Sequence, residues 1–186
     1  MKKIIFFVFY FVFLINNNVL PMDNKLILEL KDGKVEIDLF SDVAPNHVKR
    51  ILTLVKNKEY DGVVFHRVID GFMAQTGDVE FGNSKSSSFN LDRAGTGGSS
   101  LPDLKAEFSN IPHEKGTLSM ARSSDPNSAN SQFFICFDSA PHLDRQYTVF
   151  GKVVKGMDFI NNIKKGEGPN GSVSNPDKII SFSIKK

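Results

Sequence analysis

Phe65-His66-Arg67-Val68-Ile69-Asp70-Gly71-Phe72-Met73-Ala74-Gln75-Thr76-Gly77-Asp78 is the stretch on which the reading of the fold turns. Two short apolar runs, residues 63–68 and 72–75, flank Asp70-Gly71. An Asp-Gly pair between such runs predicts a β-hairpin, because glycine takes positive φ without steric cost. The same signature recurs upstream, where residues 26–30 and 35–39 alternate apolar and polar around Lys31-Asp32-Gly33-Lys34. Further strands are expected at 117–121, 132–137, 148–154 and 178–184. Pro45 opens a segment with Val48, Ile51, Leu52 and Val55 at helical spacing, ending near Asn57. Residues 157–163 form a second, short helix candidate. Residues 78–103 are rich in Gly and Ser without any period, and so read as a long loop of the functional or mobile kind. The outcome is a mainly β chain of about eight short antiparallel strands with two or three helices. Closure into a barrel would remove its exposed edges.

The chain has 186 residues, enough to bury a core without staples. A single cysteine, Cys136, excludes an intramolecular disulfide framework and a Cys-rich zinc site. Lys2 and Lys3 account for the whole excess of 23 basic over 21 acidic residues. The remainder is balanced, which argues against a dedicated binder of nucleic acid or anionic membrane.

Those lysines precede twelve consecutive apolar residues, Ile4 to Ile15, and then Asn16-Asn17-Asn18. Charged, apolar, polar is the order of a secretory signal peptide. Twelve helical residues reach about 18 Å, short of a hydrocarbon core of roughly 30 Å, so no stable membrane span is expected. Residues 1–21 are therefore read as a leader and 22–186 as the folded domain, exported to the periplasm or secreted. The region before Met22 lacks the small-x-small pattern of a cleavage site. The alternative is a chain that starts at Met22 and stays in the cytoplasm.

Tests for common chemistry are negative. His47, His66, His113 and His142 show no metal-ligand spacing. His66, beside Arg67 in a strand, reads as an orienting or core residue. Gly95-Thr96-Gly97-Gly98 lacks the Lys-Ser/Thr of a phosphate loop and reads as a turn that lets backbones approach closely. Asp125-Pro126-Asn127-Ser128 fails the calcium-loop pattern, and no nucleophile elbow is present.

The order of the motifs carries more. The opening stretch is followed by Gly95-Thr96-Gly97-Gly98, by Leu118-Ser119-Met120-Ala121-Arg122, and by Asn130-Ser131-Gln132-Phe133-Phe134-Ile135-Cys136. Leu143-Asp144 and Val149-Phe150-Gly151-Lys152-Val153 complete the series. Together they resemble the cyclophilin family of peptidyl-prolyl cis/trans isomerases, over about residues 26–184. Asp78-Val79-Glu80-Phe81-Gly82 and Leu104-Lys105-Ala106-Glu107-Phe108-Ser109 are most similar to its bacterial branch. Any one motif is weak; several in order at compatible separations are specific. The resemblance implies a closed eight-stranded antiparallel barrel flanked by helices, with the active site in a groove on its outside. It also implies a monomer that needs no cofactor and acts on proline-containing peptides and partly folded proteins.

The reaction so implied is rotation about the bond before a proline, against an amide-resonance barrier of roughly 18–20 kcal/mol. In the resemblance Arg67 is the catalytic donor. Phe72, Met73, Phe134 and Leu143 match the apolar pocket for the proline ring. Gln75 and Gln132 match the polar pair that holds substrate backbone and steadies the arginine. Ala121 and Arg122 match positions whose main chain pairs with the peptide, and Gly95 belongs to the flanking loop of the groove. Phe133, adjacent to Phe134 in a strand, should point to the core. Two departures stand out. His142 replaces the tryptophan of the best-known eukaryotic cyclophilins, and Tyr147 replaces a histidine. Tyr147 still walls the pocket, whereas the absent indole implies weak binding of cyclosporin. Rival readings are a proline-peptide binding module with incidental turnover and a ligand-carrying barrel of the lipocalin kind. Retention of Arg67 speaks against the first, and the groove motifs against the second.

Overall fold

The computed structural model describes residues 25–185, so the leader reading lies outside the described residues. Alternation in the first two runs becomes a hairpin of β1 (Lys25–Leu30) and β2 (Gly33–Leu39). Leu26, Leu28, Leu30, Val35, Ile37 and Leu39 all turn into the core. Helix α1 (Pro45–Lys56) starts on proline and buries Val48, Ile51, Leu52 and Val55. Its N-cap, Ala44, offers no side-chain acceptor. Glu107 serves instead from a distant loop, accepting from the main-chain N–H groups of Asn46 and His47, the latter at 3.1 Å.

The central hairpin is β3 (Arg67–Ile69) and β4 (Met73–Thr76), with Gly71 at φ 68° in its turn. Next come β5 (Thr117–Met120), β6 (Phe133–Cys136), β7 (Val149–Lys155), α2 (Met157–Asn161) and β8 (Ser181–Ile184). A 3-10 turn at Pro141–Leu143, which no periodicity announces, supplies the third helical piece. The sheet order is β3-β4-β6-β5-β7-β2-β1-β8, antiparallel at every pairing.

The expected closure of the barrel needs correction. β3 and β8 are the two edges of the ladder, and the eight strands curl into a half-barrel. Among the described residues the gap is crossed by isolated bridges, Val64 with Lys178 and Arg67 with Ser172, rather than by a ladder. Single bonds such as Phe65 N–H to the Asp177 carbonyl at 2.8 Å accompany them. Gly171 at φ 66°, Asn175 at φ 53° and Pro176, which has no N–H, interrupt the segment facing β3 before a ladder can form. The strands expected over 63–68 and 178–184 shorten for the same reason.

Two apolar clusters result. The larger fills the concave side and includes Phe65, Phe133, Phe150 and Phe182. The smaller lies on the other face of β4 and β6, where Met73, Phe134, Cys136, Ala140 and Leu143 pack with Phe72, Ala121 and Tyr147. Phe133 and Phe134 thus face opposite ways, as strand alternation requires.

The long loop is tied down by one carboxylate. Buried Asp78 accepts from Glu80 and Phe81 N–H through Oδ1, and from Gly95 and Gly97 N–H through Oδ2 at 2.7 and 2.9 Å. Gly97 lies so close that an added Cβ would meet the same carboxylate at 2.6 Å.

Candidate active site

β3 and β4 put Arg67 directly across from Gln75, and β4 and β6 put Gln75 across from Phe134. Around this ladder lies a cup of about 210 Å³. Arg67, Phe72, Met73, Gln75, Ala121, Arg122, Phe134, Leu143 and Tyr147 line it. The floor is aromatic, with Tyr147 edge-on to Phe134 at 5.8 Å between centroids. The Arg122 guanidinium covers the Tyr147 ring at 4.4 Å and donates to the Gln146 carbonyl, so it closes one side.

Arg67 is held from two directions. Its Nε donates to the Asn170 carbonyl at 3.0 Å, and one terminal nitrogen donates to Gln75 Oε1 at 3.3 Å while lying 3.8 Å from Met73 Sδ. Among the described residues no hydrogen bond engages its other terminal nitrogen. Burial lowers the guanidinium pKa from its ordinary value, against an opposing effect of Tyr147. Behind Arg67 runs an amide relay. Gln75 Nε2 donates to Gln132 Oε1 at 3.0 Å, and Gln132 Nε2 donates to the Gly97 carbonyl at 2.8 Å. Each amide orients the next, and the loop pinned by Asp78 orients the last.

Gly95 and Gln132 border a second, more polar cavity of about 480 Å³, which shares Gln75, Ala121 and Arg122 with the cup. Ser99, Asp103 and Asn130 line it as well; Asn130 opens one of the quoted motifs and the other two lie in the long loop, but none of the three was named as a site residue. His142 lines neither cavity. It is exposed and packs on the outer side of Phe72 at 5.5 Å between ring centroids. The Asn170 carbonyl was also invisible in sequence, being a main-chain atom in a turn remote from the motifs. An Asn-Gly pair in a Gly-rich stretch was its only trace.

Beneath the groove, burial drives the Cys136 thiol up to about 12 and the His66 imidazole down to about 4. Cys136 is therefore no nucleophile, and His66 is neutral. Among the described residues no three His, Cys, Asp or Glu side chains gather to hold a metal, and no helix is long and apolar enough to cross a membrane.

Comparison with known proteins places this arrangement. The family model described as cyclophilin type peptidyl-prolyl cis-trans isomerase/CLD matches residues 25–184. A probable peptidyl-prolyl cis-trans isomerase of Brucella suis is 60% identical over 164 residues, spanning 88% of this chain and 83% of that protein. A peptidyl-prolyl cis-trans isomerase of Acinetobacter baylyi is 40% identical, spanning 82% and 81%. The crystal structure of a Cryptosporidium parvum cyclophilin type isomerase, obtained in the presence of the dipeptide Ala-Pro, superposes with a TM-score of 0.73. It is 26% identical and covers 87% of this chain and 99% of that one. The chain belongs to the cyclophilin-type peptidyl-prolyl cis-trans isomerases.

Proposed function

We propose that Arg67 is the catalytic donor of this isomerase, and that the cup beneath it holds the proline ring of a peptide. Rotation of the amide needs no nucleophile and no proton removal. It needs a site that binds the twisted amide better than either planar form. On twisting, the prolyl nitrogen regains its lone pair and becomes an acceptor, and a fixed cationic donor aimed there lowers the barrier. The observation that carries this reading is the placement of Arg67. Asn170 and Gln75 hold it from two sides at the mouth of an apolar cup, with one terminal nitrogen left for a substrate.

Phe72, Met73, Phe134 and Leu143 would take the ring, while Tyr147 and Arg122 wall it. The Ala121 N–H already donates to the Gln132 carbonyl at 2.9 Å. Pairing with the peptide backbone therefore falls to the Ala121 carbonyl and to Arg122. The polar cavity beside Gln132 and Gly95 would receive the residues before the proline. That the Cryptosporidium protein was crystallised in the presence of the dipeptide Ala-Pro supports a ligand of this class. Titration of an isotope-labelled sample with an Ala-Pro peptide tests the assignment. Shifts should concentrate on Met73, Phe134 and Leu143, and a response centred elsewhere contradicts it.

We also infer that the protein is exported and serves the folding of other exported chains, which the order of residues 1–18 supports. N-terminal sequencing of the protein from separated cell fractions tests this. A cytoplasmic product beginning at Met22 would overturn it.

A further inference from the structure

His113 is buried behind the proline cup and cannot touch anything inside it. Its contacts nevertheless reach both walls. Its carbonyl accepts from Ala140 N–H at 2.8 Å. Its own main-chain N–H donates to Asp144 Oδ1 at 2.8 Å, and ring atom Nδ1 meets the same oxygen at 2.9 Å. Ala140 and Asp144 are the residues on either side of the 3-10 turn Pro141–Leu143, so His113 grips at both ends the turn that presents Leu143. The other ring atom, Nε2, lies 2.9 Å from Ser119 Oγ. Ser119 is the cross-strand partner of Phe134, and the imidazole itself stacks on the Phe134 ring at 6.0 Å and 18°.

The acceptor-only carboxylate fixes the hydrogen at the Nδ1 end of this chain. The Asp144 carboxylate only accepts, so Nδ1 carries the hydrogen. The Ser119 hydroxyl has one proton and two acceptors in reach, His113 Nε2 at 2.9 Å and the Thr148 carbonyl at 3.1 Å. Thr148 already accepts from Met120 N–H at 2.9 Å, whereas Nε2 has no other donor. Nδ1–H held by Asp144, with Nε2 paired to the Ser119 hydroxyl, satisfies every group. The Nε2–H tautomer would set a bare Nδ1 against a carboxylate.

We propose that His113 is a positioning residue for the isomerisation. The chain Asp144–His113–Ser119 fixes the spacing of Leu143 and Phe134, and with it the place of the proline ring beneath Arg67. This rests on the isomerase reading of the cup. A planar X-Pro segment tolerates small movements of the floor, because its ring needs only apolar contact. The twisted amide does not, because its nitrogen must meet a donor held by Asn170 and Gln75. Loosening the floor therefore costs transition-state binding more than ground-state binding.

Two measurements test this. Ring nitrogen NMR of the wild-type protein at neutral pH should show a hydrogen on Nδ1 of His113; a bare Nδ1 overturns the proton count and the proposal. The second is kinetic. His113→Phe keeps a ring against Phe134 but loses both ring hydrogen bonds. Per folded molecule, its kcat on an Ala-Pro peptide should fall about tenfold with KM within about threefold. An unchanged kcat, a change in KM alone, or a loss that merely follows the unfolded fraction overturns the proposal. Should His113→Phe fail to fold, Asp144 carries the test. Asp144→Asn, whose amide oxygen still accepts both bonds, should retain more kcat than Asp144→Ala, and equal losses overturn the proposal. A wild-type protein inactive on X-Pro peptides defeats the isomerase reading itself. An active wild type with an unaffected His113→Phe defeats only the role of His113.

Discussion

Arg67 Nε donates to the main-chain carbonyl of Asn170 at 3.0 Å, joining β3 to a turn 103 residues further along the chain. That turn is kept in place by Val68 N–H, which donates to the Gly171 carbonyl at 2.7 Å. Gly171 has φ 66°, and a Cβ there would strike the Ile69 side chain and sit 2.9 Å from the Val68 carbonyl. Gly168 in the same turn has a similar φ of 65°, but open space around it.

Gly171→Ala should therefore lower kcat/KM several-fold and destabilise the fold by about 1–3 kcal/mol. Gly168→Ala carries the strain of the left-handed backbone without the collision, and should leave kcat/KM within about twofold. Thermal melts and peptide kinetics on the two variants check this. Equal activity losses would contradict the positioning of Arg67 by the turn.

Removing the middle of the amide relay should loosen Arg67 without touching it. In Gln132→Ala the Gln75 amide loses its acceptor, and the Gly97 carbonyl loses its donor. A loss of about three- to tenfold in kcat, larger than any rise in KM, is expected from steady-state kinetics. An effect confined to KM would show that Gln132 only holds substrate.

Acid should destabilise the fold from near neutrality downward. Desolvation lowers the pKa of buried His47 and takes His66 to about 4, both from an ordinary value of 6.5. The unfolded chain protonates these rings first as pH falls below about 6.5, so stability is lost on the way down. The slope is at most about 1.4 kcal/mol per pH unit for each ring. Glu107 adds to the trend. Burial alone would raise its pKa, but hydrogen bonds from His47 and Asn46 bring it below the ordinary carboxylate value. The stability it contributes is present above about pH 4.3 and lost as pH falls through its folded value. Denaturant unfolding between pH 8 and 4 measures the curve. His66→Asn should flatten it between pH 6.5 and 4, and an unchanged slope would contradict the buried neutral ring.

Cyclosporin should inhibit this protein only above the nanomolar range, since the chain has no tryptophan and His142 packs on the outer side of Phe72. His142→Trp should tighten inhibition at least about tenfold, or 1.4 kcal/mol. Inhibition curves for the two proteins decide this, and nanomolar inhibition of the wild type would refute it.

Much of this architecture was legible in the sequence because it rests on local rules. Alternation about Asp32-Gly33 and Asp70-Gly71 foretold two hairpins, and Pro45 with its helical spacing foretold α1. Alternation alone also separated Phe133 from Phe134. The cup residues could be named because their order along the chain resembles a known family, while on spacing each would have passed for core. What stayed hidden depends on main-chain atoms and distant partners. The Asn170 and Gly97 carbonyls carry no side-chain signature, and Glu107 caps α1 from 60 residues away. Closure was over-read for a related reason. Pairing propensity in residues 172–179 is real, but Asn175 and Pro176 interrupt the hydrogen-bond register that a ladder needs.

The central claim is that a guanidinium held at the mouth of the cup stabilises the twisted amide. Exchange NMR on an Ala-Pro peptide, comparing wild type with Arg67→Ala at equal folded fraction, tests it most directly. The account predicts clear acceleration by the wild type and a loss of tenfold or more in the variant, corresponding to at least about 1.4 kcal/mol of transition-state stabilisation, with peptide still bound in the cup. An Arg67→Ala variant as fast as the wild type would contradict it.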